Sequence, residues 1–230
     1  MTGSLNHHRN ILMHSVDLSH PITTAMPVWP GTPPPEFSDL CTIGRDGFGE
    51  RWLQLSSHTG THIDAPSHIV EGADSLDRLP VETFIGKGTL FDLRDMSSVT
   101  ISLDYFFTRR AQIEQTEFLV FHTGWSRFWG TGAYDRGYPV LSQEAAEWLA
   151  GLHLKGIGID APSFDIEGSD SLPVHRCLLG GGLLLIENLT ALDQIDGIGS
   201  FFLSVLPLNI TDAEACPVRA VAIIPFFETK

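Results

Sequence analysis

The chain is short of positive charge, cysteine and long apolar runs, and each shortage excludes something. Only 14 Lys and Arg stand against 28 Asp and Glu in 230 residues, a formal net charge of −14. Phosphate backbones and anionic membrane surfaces are therefore repelled, and nucleic acid is excluded as a partner. Three cysteines, Cys41, Cys177 and Cys216, have no CxxC spacing and leave an odd thiol in any pairing. That argues against a disulfide scaffold and a thiolate metal site, and for reduced thiols. No uninterrupted apolar stretch approaches the roughly 18 residues of a membrane span, and none reads as an export signal, so no membrane partner and a cytoplasmic location are expected. The G-x-S-x-G nucleophile elbow of acyl-enzyme hydrolases is also missing. Gly180-Gly181-Gly182 lacks the lysine of a phosphate loop and reads as a tight turn before a strand at Leu183.

What is present suits one enzyme-sized domain. A hydrophobic content of 43% over this length can bury a sizeable core, and no linker divides the chain. Residues 1–12 are polar at their start and read as a flexible extension, with His7 and His8 discounted as ligands, so the domain is expected over 13–230. Short β-branched or aromatic runs at 51–56, 88–93, 118–121, 157–159, 183–186, 201–206 and 219–224 are strand candidates. The clearest helix is 142–151, with Ser142 as N-cap and Gly151 past its end; 104–115 is a second candidate. The mixture is α/β with more sheet than helix.

The densest chemistry lies in His58-Thr-Gly-Thr-His62-Ile-Asp64-Ala-Pro-Ser-His68, three imidazoles and a carboxylate within eleven residues. Imidazole and carboxylate are the usual protein ligands of zinc-like divalent ions, and a metal held by few ligands keeps a position for a reactive water. The β-branched residues Thr59, Thr61 and Ile63 argue for an extended segment. In that conformation positions 58, 60, 62 and 64 share a face, with Gly60 leaving space between the imidazoles. Pro66 then turns the chain, so His68 returns over the site from another direction, as an acid/base rather than a ligand.

Later residues carry weaker signals of their own. His175 sits in Leu172-Pro-Val-His-Arg-Cys177, where no helical or strand period is evident and a solvated or capping histidine is the default. Glu187 closes the apolar run 183–186, and a carboxylate there needs either a partner, such as a metal or a buried base, or a place at the sheet surface. Trp29, between Pro27 and Pro30, could cap a surface or line a pocket. Asp64-Ala-Pro-Ser67 recurs as Asp160-Ala-Pro-Ser163; Asp160 or Asp165 could orient a ligand or simply cap a turn.

The string from His58 to His68 resembles the signature of the cyclase-like metal-dependent hydrolases, whose best-known members are bacterial kynurenine formamidases. The similarity runs along nearly the whole chain, through Asp17-Leu-Ser-His-Pro-Ile22, Pro27-Val-Trp29-Pro-Gly31, Gly158-Ile-Asp160-Ala-Pro-Ser163 and His175 to Leu206-Pro-Leu208 and Pro217-Val-Arg219-Ala220. The resemblance implies a swivelling β/β/α domain, sheet-rich, that assembles into homodimers or larger oligomers. It implies His58, His62 and Asp64 as metal ligands, Asp64 able to bridge two ions, with His175 and Glu187 completing a two-metal centre. It also implies His68 as the catalytic histidine and Trp29 as an aromatic wall of the substrate pocket. Trp125 or Phe164 would add further aromatic surface.

The activity implied is metal-assisted hydrolysis of an amide-type C–N bond in a small aromatic substrate, N-formylkynurenine first, with isatin-type lactams as the alternative. A divalent metal is expected, two ions per subunit, with zinc the first choice and manganese the second. A metal-binding protein without catalysis is the rival from another class, and His68 argues against it, because a structural zinc site is closed by four strong ligands.

Overall fold

A computed structural model describes residues 11–227. Residues 1–10, with His7 and His8, lie outside the described residues, and β1 begins at Ile11, inside the stretch expected as an extension. The strands are β1 Ile11–Asp17, β2 Glu36–Cys41, β3 Glu50–Gln54, β4 His62–Asp64, β5 Ile85–Asp92, β6 Thr100–Ile101, β7 Phe118–His122, β8 Val140–Leu141, β9 Gly156–Ile159, β10 Leu184–Glu187, β11 Phe201–Ser204, β12 Ala215–Pro217 and β13 Val221–Phe227. Helices are short: α1 Ile43–Asp46, α2 Asp104–Phe107, α3 Arg110–Ile113, α4 Gln143–Ala150 and α5 Pro173–Gly180. None is long and apolar enough to cross a membrane.

Nine strands form one mixed sheet in the order β1-β13-β11-β5-β7-β9-β10-β4-β12. Its centre, β5-β7-β9-β10, is parallel, and β7, β9 and β10 are buried along their whole length. Burial on both faces is why these strands read as continuous apolar runs rather than alternating ones. Phe118 and Val120 pack into one core and Leu119 and Phe121 into another, one on each side of the sheet. α4 and α5 cover the second core through Ala145, Ala146, Leu149, Val174, Leu178 and Leu179. Ser142 caps α4 by accepting the N–H of Ala145 at 3.2 Å.

Three local expectations change. The 104–115 candidate breaks into α2 and α3 at Thr108 and Arg109. The extended conformation expected from His58 holds only over His62–Asp64, because residues 57–61 turn and Gly60 adopts φ 62. The segment read as aperiodic around His175 is α5, with Pro173 in its first turn, where a missing N–H costs nothing. Gly182, at φ 83, reverses the chain between α5 and β10.

Candidate metal centre and cleft

The pairing of β4 with β10 builds the centre. The two strands run antiparallel with Glu187 opposite His62, and β12 flanks β4 on its other side. The turn at Gly60 swings His58 back so that its ring centroid lies 5.0 Å from that of His62. Pro66 opens a short 3-10 turn ending at His68, whose ring reaches 4.3 Å from His58. α5 presents His175 from above the sheet, its Nε2 3.1 Å from Oε1 of Glu187. Six residues singled out in the sequence thus meet in one place, and Trp29 joins them on the wall of a cleft of about 350 Å³. Tyr134, Asn188, Asp135 and Asp170 line it too, and among the described residues no Lys or Arg does. Trp125 and Phe164 are not part of this wall; Phe164 is fully buried behind His175, and the partly buried Trp125 packs against the core with its indole N–H on the Tyr134 carbonyl.

Apart from the His175–Glu187 hydrogen bond, the inward-facing atoms of His62 and Asp64 have no hydrogen-bond partner among the described residues. His58 Nδ1 lies 3.0 Å and His62 Nε2 3.4 Å from Oδ1 of Asp64, while His62 Nε2 lies 3.5 Å from Oε2 of Glu187. Among the described residues, seven buried side-chain polar atoms have no hydrogen-bond partner, and three of them are His62 Nε2 and both oxygens of Asp64. Burying such atoms unpaired is costly, so a cation among them is the arrangement that satisfies them. Two overlapping groups could hold a divalent ion, His58 with His62 and Asp64, and Asp64 with His175 and Glu187; within each the ligand atoms lie within 4.8 Å of one another. Asp64 belongs to both. The set of imidazoles and carboxylates fits a divalent metal.

The electrostatics are strongly perturbed. Burial opposes a charge on His175, yet hydrogen bonds to Asp165 and Glu187 outweigh it and push its pKa up to about 10. Burial likewise opposes a charge on His58, and the adjoining Asp64 carboxylate more than offsets it, raising the pKa. Asp64 is 1% exposed, but the imidazoles around it hold its carboxyl below the usual range. His68 goes the other way, burial above all driving it down to about 4.

Four supporting residues complete the picture. Asp165 accepts from His175 Nδ1 at 2.7 Å, whereas Asp160 is held by the N–H and hydroxyl of Thr123. Glu214 accepts from Ser57 Oγ at 2.6 Å and lies 3.6 Å from His58 Nε2. Asn188 and Tyr134 stand behind His62. Sequence reasoning missed Glu214, Asn188 and Tyr134; only Asn188 carried a signal, by following Glu187 directly. Cys177, two residues from His175, is half-buried, and burial raises the pKa of its thiol.

The Cyclase family model matches residues 16–166. Over 210 residues the chain is 30% identical to the kynurenine formamidase of Bacillus cytotoxicus, covering 90% of this chain and 95% of that protein. Among solved structures, isatin hydrolase A from Labrenzia aggregata superposes with a TM-score of 0.82 at 23% identity, over 92% of this chain and 94% of the other. A potential metal-dependent hydrolase with cyclase activity gives a TM-score of 0.75 at 29% identity, over 92% and 98%.

Proposed function

The chain belongs to the cyclase family, and from that membership we propose that it is an arylformamidase, cleaving the formamide C–N bond of N-formylkynurenine at a divalent metal centre. It is an amide hydrolase of this family. The observation that carries the reading is the convergence of unpaired His62 and Asp64 atoms with His58, His175 and Glu187 at the base of a cleft walled by Trp29.

His58, His62, Asp64, His175 and Glu187 would hold the metal. Once bound, a divalent ion supplies Lewis acidity, which acidifies water and polarises a carbonyl. Trp29 and Tyr134 hold a flat aromatic ring against the cleft wall. His68, beside His58 and 6.2 Å from the His175 ring, takes a proton from the attacking water and returns it to the leaving nitrogen. A histidine suits this exchange because its ring nitrogens can accept a proton and give it back. The presence of Asp64 in both ligand groups supports two ions per subunit, and zinc ahead of manganese is consistent with an imidazole-rich set.

The same reading takes residues 13–230 as one domain, supported by a sheet whose strands come from both ends of the described chain. Free Cys41, Cys177 and Cys216 suit a reducing cytoplasm. Homo-oligomerisation is supported by the exposed β2-β3 ribbon, described below. One observation favours a second substrate, an isatin-type lactam: among the described residues no Lys or Arg lines the cleft, so it makes no demand for an anionic group. N-formylkynurenine would instead turn its ammonium toward Asp135 and Asp170.

Zinc-loaded protein incubated with N-formylkynurenine or isatin, with and without chelator, separates the readings. Chelator-sensitive release of kynurenine at kcat/KM of about 10⁴ M⁻¹s⁻¹ or more supports the formamidase. Turnover of isatin alone moves the assignment to lactam opening. A protein that holds its metal and turns over neither compound, nor other aryl formamides, returns the site to metal binding without catalysis.

A further inference from the structure

Asn188 follows Glu187 at the end of β10 and is held at φ 58, a left-handed conformation that asparagine tolerates better than other side chains. It makes four hydrogen bonds, and each one is specific. Its backbone N–H reaches Ala161 O at 3.0 Å, and its carbonyl accepts the Thr61 hydroxyl at 2.6 Å. Its side-chain Nδ2 donates to Gly60 O at 3.0 Å, and its Oδ1 accepts from the Tyr134 hydroxyl at 2.8 Å. A carbonyl can only accept, so the amide must show its NH₂ to Gly60, which leaves Oδ1 for the phenol.

Gly60 O has a second caller. His62 Nδ1 lies 2.8 Å from it and donates, so the lone pair of that ring sits on Nε2, the atom that faces Asp64 and Glu187. Nδ2 of Asn188 and Nδ1 of His62 are 3.5 Å apart, two donors sharing one acceptor. The carbonyl that sets the tautomer of His62 is thus itself held in place by Asn188, and Asn188 is held by Tyr134.

We propose that Asn188, oriented by Tyr134, is a positioning residue that locks His62 with Nδ1–H on Gly60 and Nε2 directed into the metal centre. The inference rests on the metal reading of the site. Asn188→Gly keeps the left-handed backbone and deletes the amide; Tyr134→Phe removes one hydroxyl and keeps the ring. The test measures Zn²⁺ affinity of the full chain by competition with a chromophoric chelator, beside the melting temperature of the metal-free protein.

Losing the support of a metal-ligating histidine weakens binding by about 10- to 100-fold. That is the expectation for Asn188→Gly, with a smaller loss in the same direction for Tyr134→Phe. If both variants bind Zn²⁺ within twofold of the parent, the inference is overturned, and a lower melting temperature with parental affinity assigns Asn188 to the fold alone. Should Asn188→Gly fail to fold, Tyr134→Phe decides by the same criterion. A parent that binds no Zn²⁺ overturns the metal reading and this inference together.

Discussion

Oδ2 of Asp165 lies 2.7 Å from Nδ1 of His175 and 2.9 Å from the backbone nitrogen of the same residue, while Oδ1 takes the N–H of Val174 at 2.9 Å. One buried carboxylate therefore fixes both the ring and the start of the helix that carries it. It satisfies donors that the first turn of α5 leaves without helical partners.

Asp165→Asn turns one of those acceptors into a donor facing N–H groups. The expected result is a loss of metal affinity of about 10- to 100-fold, with a drop in metal-free stability of about 1–2 kcal/mol from the weakened helix start. Chelator competition and denaturant unfolding read the two effects separately. Parental affinity in a folded Asp165→Asn protein would show that His175 needs no such anchor.

For His68 the outcome is a split between binding and turnover. His68→Ala should retain the metal content of the parent while kcat falls by about 10²- to 10⁴-fold, the usual worth of a general acid/base. Metal analysis of the purified variant beside its kinetics makes the comparison. A variant that loses metal in proportion to activity would make His68 a ligand instead.

How much of this was legible in the sequence depended on distance along the chain. His58, His62, Asp64 and His68 lie within eleven residues, so their proximity needed no fold to be seen. Their conformation was harder: the β-branched residues argued for an extended segment from His58, yet Gly60 takes a positive φ and the strand begins only at His62. His175 and Glu187 meet His62 through a helix and an antiparallel strand pair, contacts that no local pattern encodes. α5 was hidden because it is only eight residues long, opening at Pro173 and running out into Gly180-Gly181-Gly182, although Val174, His175, Leu178 and Leu179 all face inward. Central strands were readable because burial on both faces makes them continuously apolar. Phe164 and Trp125 were placed at the pocket for being aromatic, and aromatic residues more often build cores.

Stability should respond to acid through His20. Its ring stacks on Trp129 with centroids 3.9 Å apart and planes 4° apart, its Nε2 has no partner, and burial lowers its pKa to about 4. A histidine with a depressed folded pKa favours the native state above its unfolded pKa of about 6.5, and that contribution is lost as pH falls toward 4. His20→Phe keeps a ring on Trp129 and cannot titrate. The difference in unfolding free energy between parent and variant should therefore shift by about 1–2 kcal/mol between pH 7 and pH 4, partial exposure included. Parallel pH curves for the two proteins would remove His20 from the account.

The β2-β3 ribbon makes the last prediction. Phe37 pairs with Leu53 and Ser38 with Trp52, and neighbouring residues on a strand point to opposite faces. Trp52 is 59% and Leu53 57% exposed, so both faces of the ribbon are open, and among the described residues no third strand joins it. A two-stranded ribbon is marginal alone in water, and apolar side chains on both of its faces mark a contact surface. A second copy of the chain is the occupant that the oligomer reading supplies, and just past the ribbon's end the exposed Leu55, Leu208 and Ile210 line one groove. Light scattering should give the parent a mass of at least twice 25.3 kDa. Trp52→Glu combined with Leu53→Glu should shift it to a folded monomer, because two charges on opposite faces oppose burial whichever face is covered. A parent that runs as a monomer at working concentration defeats the oligomer reading. A doubly substituted protein that stays oligomeric moves the interface away from the ribbon.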